Sequence, residues 1–187
     1  MSITFRGELN MKVPIEILKI KDPDGKERLR AIISFQDAIS YPTTNKQLIE
    51  IQNEYIALVE NCKKQLRKIQ NNKKNRGDPI LKWMLADTIY TFIKNLERKN
   101  YIFANIASSL SRDLNISIRY VNYLIEFRTT YPDIQLIHKG ISWDKYKELL
   151  DISDPHLRKE CTERILAGEL KTREDIRRFK KGAKKYA

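Results

Sequence analysis

The sequence predicts a mainly α-helical fold, a multi-helix bundle that contains a helix-turn-helix-like unit and a short N-terminal β-hairpin. Two observations support this prediction. From about residue 44 onward, apolar residues recur at spacings of three and four, which is the period of amphipathic helices. Strand-like alternation of apolar and polar residues is confined to residues 3–39. We therefore expect four segments: a β-hairpin element over 1–40, a long helical hairpin with a basic linker over 41–100, a helix-turn-helix-like domain over 101–181 and a basic tail over 182–187.

The N-terminal segment has the pattern of paired strands. Residues 13–20 and 29–35 alternate partly at a period of two, and Pro23-Asp24-Gly25 between them is typical of a tight turn. Residues 3–5 are the candidate for a third short strand. A two-stranded hairpin is only marginally stable in water, so this one is expected to pack on the helices or to pair with another chain.

A long amphipathic helix is predicted to begin after Thr43 or Thr44, either of which can cap it, and to end near Asn71. Its apolar stripe comprises Leu48, Ile51, Tyr55, Leu58, Cys62 and Ile69. We interpret it as a packing helix, with a short dimeric coiled coil as the alternative.

A polar, turn-rich linker over residues 71–77 separates this helix from a second one. The second helix is predicted to begin at Asp78-Pro79, because proline is favoured in the first helical turn. The residues predicted to face inward from it are Leu81, Met84, Leu85, Ile89, Phe92, Ile93 and Leu96. Trp83 and Tyr90 are interpreted as core residues and not as platforms on which bases stack.

Two short helices joined by a tight turn follow. The first is expected over about 102–113, and Asn115 tolerates the left-handed conformation that such a turn needs. Ser117 can cap the second helix, which is expected to end near Thr130. The residues expected to face inward from the second helix are Ile118, Val121, Leu124, Ile125 and Phe127, and those left for its outer faces are Arg119, Tyr120, Asn122, Tyr123, Glu126 and Arg128. Arg, Asn and Tyr near the start of such a helix can reach base edges and phosphates in a major groove, although a helical hairpin without a ligand has the same pattern.

Positive charge is concentrated in two segments of the chain. There are 36 Lys and Arg against 24 Asp and Glu, a net charge of +12. Residues 63–76 hold seven cations and no acid, and residues 171–187 hold eight cations and two acids, so the remainder is close to neutral. Clustered cations release counterions from a phosphate backbone, which makes them typical of nucleic-acid binding. A solvated helix face and a basic tail without a ligand are the alternative.

Catalytic, metal and membrane functions are not indicated by the sequence. His138 and His156 have no partner at ligand spacing, and no phosphate-loop, dinucleotide or zinc-protease motif occurs. Cys62 and Cys161 are interpreted as two core thiols in a reducing compartment. No apolar run is long enough to span a bilayer, and the N-terminus has no secretory signal. We expect a non-enzymatic protein without a cofactor that is cytoplasmic and associated with the nucleoid.

Residues 101–181 resemble the N-terminal helical domain of the YhcG-like family, also called DUF1016. The matching pieces are Ser117 to Arg128, Tyr131-Pro132, Ile141 to Tyr146 with Glu148-Leu149-Leu150, Asp154-Pro155 with Arg158, and Thr172 to Arg177. The resemblance implies a helical domain that binds DNA. In that family a PD-(D/E)xK nuclease domain follows, and this chain ends where it would begin, so nuclease activity is not expected to carry over. The family usually has His where Lys145 stands.

The pattern around Ser142 and Trp143 is also similar to the helical DNA-binding core of ParB-like partition proteins. Both resemblances imply a nucleic-acid partner. Trp143 and Tyr146 are interpreted as core anchors and not as DNA contacts.

Together these observations predict a protein that binds DNA through the helix after Ser117 and gains salt-dependent phosphate affinity from the two basic segments. The predicted nucleic-acid-binding residues are Ser117, Arg119, Tyr120, Asn122, Arg128, Lys73, Lys74, Arg76, Arg173, Arg177, Arg178, Lys180 and Lys181. The expected partners are double-stranded DNA, a second copy of the chain in a homodimer, and a nuclease or other subunit of a larger complex. The alternative is an interaction or scaffold subunit of a nucleoprotein complex that contacts RNA.

Overall fold

The computed structural model of the chain describes residues 16–21, 27–33, 46–73, 75–99, 101–103 and 105–183. These residues are mainly helical, which confirms the mainly α-helical part of the predicted fold class, whereas the helix-turn-helix-like unit stays a prediction. The helices are α1 (Lys46–Gln70), α2 (Pro79–Arg98), α3 (Ile106–Leu114), α4 (Ile118–Thr130), α5 (Trp143–Leu150), α6 (Pro155–Leu166) and α7 (Arg173–Ala183), with 3₁₀ turns at Asn75–Gly77 and Ile134–Leu136. The strands are β1 (Glu16–Lys21), β2 (Glu27–Ile33) and β3 (Tyr101–Phe103).

The three strands form one small sheet in the order β1-β2-β3. β1 pairs with β2 antiparallel, and β3 pairs with β2 in parallel, with Ile102 opposite Ile32. Ile102 was predicted to begin a helix, but it lies in β3, and α3 begins only at Ile106. The predicted turn at Pro23-Asp24-Gly25 and the predicted strand at residues 3–5 lie outside the described residues, so the N-terminal hairpin stays a prediction.

The chain folds into two compact units. The first comprises residues 1–62 and 88–121, and the second comprises residues 63–87 and 122–187. Helices α1, α2 and α4 each contribute a segment to both units. The four segments predicted from the sequence stay a prediction.

In the first unit, aromatic rings from α1, α2 and β3 pack together. The ring centroid of Tyr55 lies 6.0 Å from that of Phe92 and 5.5 Å from that of Phe103. The Tyr55 hydroxyl also donates a 2.5 Å hydrogen bond to Oδ2 of Asp113, so α1 is linked to α3. The described apolar core of this unit consists of Ile51, Tyr55, Leu58, Cys62, Ile89, Phe92, Leu96, Leu110, Leu114 and Val121.

In the second unit, the core contains a cluster of edge-to-face aromatic rings surrounded by buried aliphatic side chains. The ring of Phe127 lies 5.4 Å from Tyr131 and 5.1 Å from both Trp143 and Tyr146. The indole Nε1 of Trp83 donates a 2.7 Å hydrogen bond to the carbonyl oxygen of Tyr131. Trp83, Trp143 and Tyr146 are therefore core residues, as predicted.

Two apolar residues that were predicted to face inward are exposed. Met84 is 49% exposed, because the buried side of α2 runs through Leu85, Ala86 and Ile89 and leaves Met84 beside it. Ile118 is 48% exposed, because it is the first residue of α4 and no preceding helical turn covers it. Tyr90, predicted to be a core residue, is half-buried.

Candidate nucleic-acid interface

A three-residue turn joins α3 to α4, and local hydrogen bonds hold its shape. Asn115 ends α3 in the left-handed conformation, with φ 53° and ψ 50°. The Oγ of Ser111 donates a 2.5 Å hydrogen bond to the carbonyl oxygen of Ile116. The Oγ of Ser117 accepts a 3.2 Å hydrogen bond from the backbone N–H of Tyr120, so Ser117 caps α4 as predicted.

The start of α4 presents several of the predicted residues to solvent. Ser117, Arg119 and Asn122 are exposed, and the apolar side chain of Ile118 is exposed beside them. Arg119 and Asn122 are three residues apart, a spacing that places them on one face of the helix. Tyr120 is half-buried instead of outward, and this burial raises the pKa of its hydroxyl.

Arg128, near the end of α4, is engaged by its own protein. Its Nε donates a 2.6 Å hydrogen bond to Oδ1 of Asp87, and its guanidinium lies 4.9 Å from the centre of the Trp83 ring. Only 17% of the side chain is exposed. Arg128 thus belongs to the packing of the second unit and not to an outer face, where it was predicted to lie.

The first basic segment is mostly helical and not a linker. Its exposed cations in the described chain are Lys63, Lys64, Arg67, Lys68, Lys73 and Arg76, and the first four lie in the last turns of α1. The free carbonyl groups at this end of a helix favour nearby positive charge. Arg76 is anchored, because its Nε donates a 3.2 Å hydrogen bond to the carbonyl oxygen of Gln70. Lys74 lies outside the described residues.

The second basic segment is a packed helix whose cations converge on one carboxylate. Arg173 and Arg177 of α7 lie 2.7 Å and 2.8 Å from Oε1 of Glu148 on α5, and Lys180 lies 3.1 Å from its Oε2. The Glu148 side chain is only 5% exposed. Burial alone would raise the pKa of Glu148, but hydrogen bonds from Arg177, Arg173 and Lys180 outweigh it and lower the pKa to about 2.

Three of the cations predicted to bind phosphate, Arg173, Arg177 and Lys180, are therefore already in ion pairs within the protein, although the side chains of Arg173 and Arg177 remain 47% and 48% exposed. Of the other predicted cations on α7, Arg178 is exposed at 3.9 Å from Glu174, and Lys181 is exposed. Residues 184–187 lie outside the described part of the chain.

Sequence reasoning missed the role of Glu148, although a signal for it exists. Arg173, Arg177 and Lys180 recur at spacings of four and three, so they lie along one side of a helix. The single buried apolar residue described on α7, Ile176, lies next to this stripe. A helix whose inward side carries cations needs a buried acid on its neighbour, because an uncompensated buried charge is strongly destabilising.

Both basic segments belong to the second unit. This unit holds 23 Lys and Arg against 13 Asp and Glu, a net charge of +10 out of the +12 of the chain. Ser117, Arg119 and Tyr120 belong to the first unit, and Asn122 and Arg128 belong to the second. Most of the net positive charge of the chain is therefore carried by the second unit.

No protein-family model, curated protein or solved structure matches this chain. The resemblance to YhcG-like and ParB-like proteins accordingly stays a prediction. Within the described residues, none of the helices is both long and apolar enough to cross a membrane. The same residues contain no group of three or more His, Cys, Asp or Glu placed to hold a metal ion.

Proposed function

We propose that this chain is a non-enzymatic protein that binds double-stranded DNA through α4 and through the exposed cations of its two basic segments, residues 63–76 and 171–187. The observation that carries the proposal is the exposed start of α4 after a capped three-residue turn. The α3–α4 pair would act as the helix-turn-helix unit. A homodimer extends the proposal, since such units commonly read paired half-sites.

The residue types at the start of α4 suit base recognition. An arginine can donate two hydrogen bonds to guanine O6 and N7, and an asparagine can pair with adenine N6 and N7. Arg119 and Asn122 are exposed for these contacts, and Ile118 offers an apolar surface to a thymine methyl group. The free N–H groups at a helix N-terminus add attraction for a phosphate.

The exposed cations at the end of α1 would supply affinity without sequence preference. Lys63, Lys64, Arg67 and Lys68 are exposed, and Lys64, Arg67 and Lys68 fall on one side of the helix. Each phosphate that a protein neutralises adds about 0.9 to the slope of log affinity against log salt concentration. Replacing these four cations should therefore lower the slope by roughly three to four.

Fluorescence anisotropy tests the proposal on random duplex DNA, single-stranded DNA and duplex RNA across a salt titration. We expect duplex DNA to bind most tightly and with a steep salt dependence. On a duplex selected for tight binding, combined replacement of Arg119 and Asn122 by alanine should weaken binding by at least about thirtyfold, since each good base contact contributes about 1–3 kcal/mol. Lys159→Ala removes a cation whose side chain is 78% exposed on α6, and it serves as the control.

Two results would contradict DNA binding: affinity no tighter than millimolar at low salt, or no preference among the three nucleic acids. Either would favour the alternative, an interaction subunit of a nucleoprotein complex. One observation supports that alternative. Ile49 and Ile56 are 40% and 43% exposed on α1 and are seven residues apart, so they share one side of the helix.

A further inference from the structure

A cavity of about 570 Å³ lies among α5, α6 and α7 in the second unit. Small-molecule sites typically have volumes of roughly 300–1,000 Å³, so this cavity is large enough for a ligand. Part of its wall is apolar and consists of Ile152, Leu157 and Ala183. No residue of α4 lines it, so the cavity is separate from the proposed base-reading surface.

The carboxylates in the cavity wall already have donors in the protein. Glu148 accepts hydrogen bonds from two arginines and one lysine at distances between 2.7 and 3.2 Å. Oδ2 of Asp151 accepts from Lys180 at 3.2 Å. Oδ1 of Asp154 accepts from the backbone N–H of His156 at 2.9 Å and caps α6. Each of these carboxylates therefore has at least one donor from the protein, and the most buried of them, Glu148, has three.

Two cations in the same wall, Arg177 and Lys181, have N–H donors that bond to no described residue. Arg177 uses Nε and Nη2 on Glu148, and within the described chain its Nη1 makes no hydrogen bond. Lys181 is exposed and forms no ion pair with any described residue. An arginine and a lysine at the edge of a partly apolar cavity are complementary to an anionic head group.

We propose that this cavity binds a small organic anion. One carboxylate or phosphate group would accept hydrogen bonds from Arg177 and Lys181, and the apolar body would pack against Ile152, Leu157 and Ala183. This binding site is additional to the proposed DNA contacts and does not depend on them.

The test is an NMR titration of the full-length, ¹⁵N-labelled protein without nucleic acid. The probes are octanoate, hexyl phosphate, octylamine and 1-octanol. Octanoate, hexyl phosphate or both should give saturable shifts at Ile152, Leu157 and Ala183 near about 1 mM, an affinity suited to ligands of this size. Octylamine should give none, and 1-octanol should bind more weakly. The stronger of the two anions identifies the head group.

Lys181→Gln should weaken binding of the preferred anion by at least about fivefold. Lys159→Gln is the matched control, because Lys159 lies on α6, is 78% exposed and does not line the cavity. The proposal is overturned if neither anion gives saturable shifts by 10 mM, on the order of ten times the expected dissociation constant. It is equally overturned if octylamine binds as well as the anions, or if both lysine variants behave alike.

Discussion

Glu148 on α5 and Arg177 on α7 are joined by an ion pair of 2.8 Å between Oε1 and Nη2. Arg173 and Lys180 complete the ring of cations around the same carboxylate, which is 95% shielded from solvent. The acid and its three partners are 25 to 32 residues apart in the chain. α7 is therefore joined to α5 by ion pairs with one buried carboxylate, in addition to the buried side chain of Ile176.

The stability of the protein should fall as the pH drops from about 4.5 to about 2. Hydrogen bonds outweigh burial and lower the pKa of Glu148 from 4.5 to about 2 in the folded protein. A depressed folded-state pKa contributes stability above the unfolded value, and this contribution is lost as the pH falls through the folded value. The shift corresponds to roughly 3 kcal/mol. Urea unfolding at pH values between 7 and 2.5 measures this loss in the free energy of unfolding.

Glu148→Gln should lower the free energy of unfolding at pH 7 by about 3 kcal/mol, because Arg173 and Arg177 lose their ion pair with this carboxylate and Lys180 keeps only Asp151 among its described ion-pair partners. The variant also lacks the titrating group, so its stability should vary less with pH than that of the wild type. Urea unfolding of both proteins between pH 7 and pH 2.5 measures the difference. Parallel losses of stability below pH 4.5 would show that other carboxylates cause the acid sensitivity.

Arg128→Ala should lower the free energy of unfolding by about 2 kcal/mol, since it removes a cation–π contact and a partly buried ion pair. The DNA affinity of the Arg128→Ala protein should change less than threefold, whereas Arg119→Ala should lower the DNA affinity about tenfold. Asp87→Asn removes the ion pair and keeps the stacking on Trp83, so it should be the milder change. An Arg128→Ala protein of normal stability and poor DNA affinity would identify Arg128 as a DNA contact.

Tyr55→Phe should lower the free energy of unfolding by about 1–3 kcal/mol, because Asp113 loses a donor to its carboxylate. Tyr131→Phe is the matched control. The Tyr131 hydroxyl is buried and has no hydrogen-bond partner among the described residues, so its removal should be neutral or slightly stabilising. The urea midpoints of the two variants give the comparison. Equal losses of stability would contradict the conclusion that the Tyr55 hydroxyl, unlike the Tyr131 hydroxyl, makes a stabilising hydrogen bond.

Neither thiol should react with a disulfide reagent while the protein is folded at pH 8. Burial raises the pKa of Cys62 to about 12, and burial also dominates the rise of the Cys161 pKa to about 11. Both thiols are free and buried, which confirms their prediction as core residues. Two thiols should titrate with Ellman's reagent in urea and none in buffer. Rapid reaction of one thiol in buffer would show that its surroundings open readily.

The helix starts were readable from the sequence because they depend on residues a few positions apart. Asp78 accepts a 2.8 Å hydrogen bond from the N–H of Ile80, and Asp154 accepts one of 2.9 Å from His156, each just before a proline. Ser117 caps α4 in the same local way. Local chemistry of this kind needs no knowledge of the rest of the fold.

The position of Ile102 in a β-sheet could not be predicted from neighbouring residues in the sequence. Its apolar side chain fits the period of the following helix, but β3 pairs with β2, about 70 residues earlier in the chain. Pairing between distant segments overrides local preference, and a single sequence carries no direct signal for it. The exposure of Met84 has a similar origin, because the neighbours of α2 decide which edge of its apolar stripe is covered.

The sequence by itself determined the helical class, the starts of α2 at Asp78 and of α4 at Ser117, and the presence of two strongly basic segments. Only the tertiary structure decided which of those cations face solvent. Lys63, Lys64, Arg67 and Lys68 do, whereas Lys180 is only 16% exposed and Arg173 and Arg177, although about half exposed, are paired with Glu148. The number of charges follows from side-chain chemistry alone. Their availability to a partner follows from which distant carboxylate or ring each one meets when the chain packs.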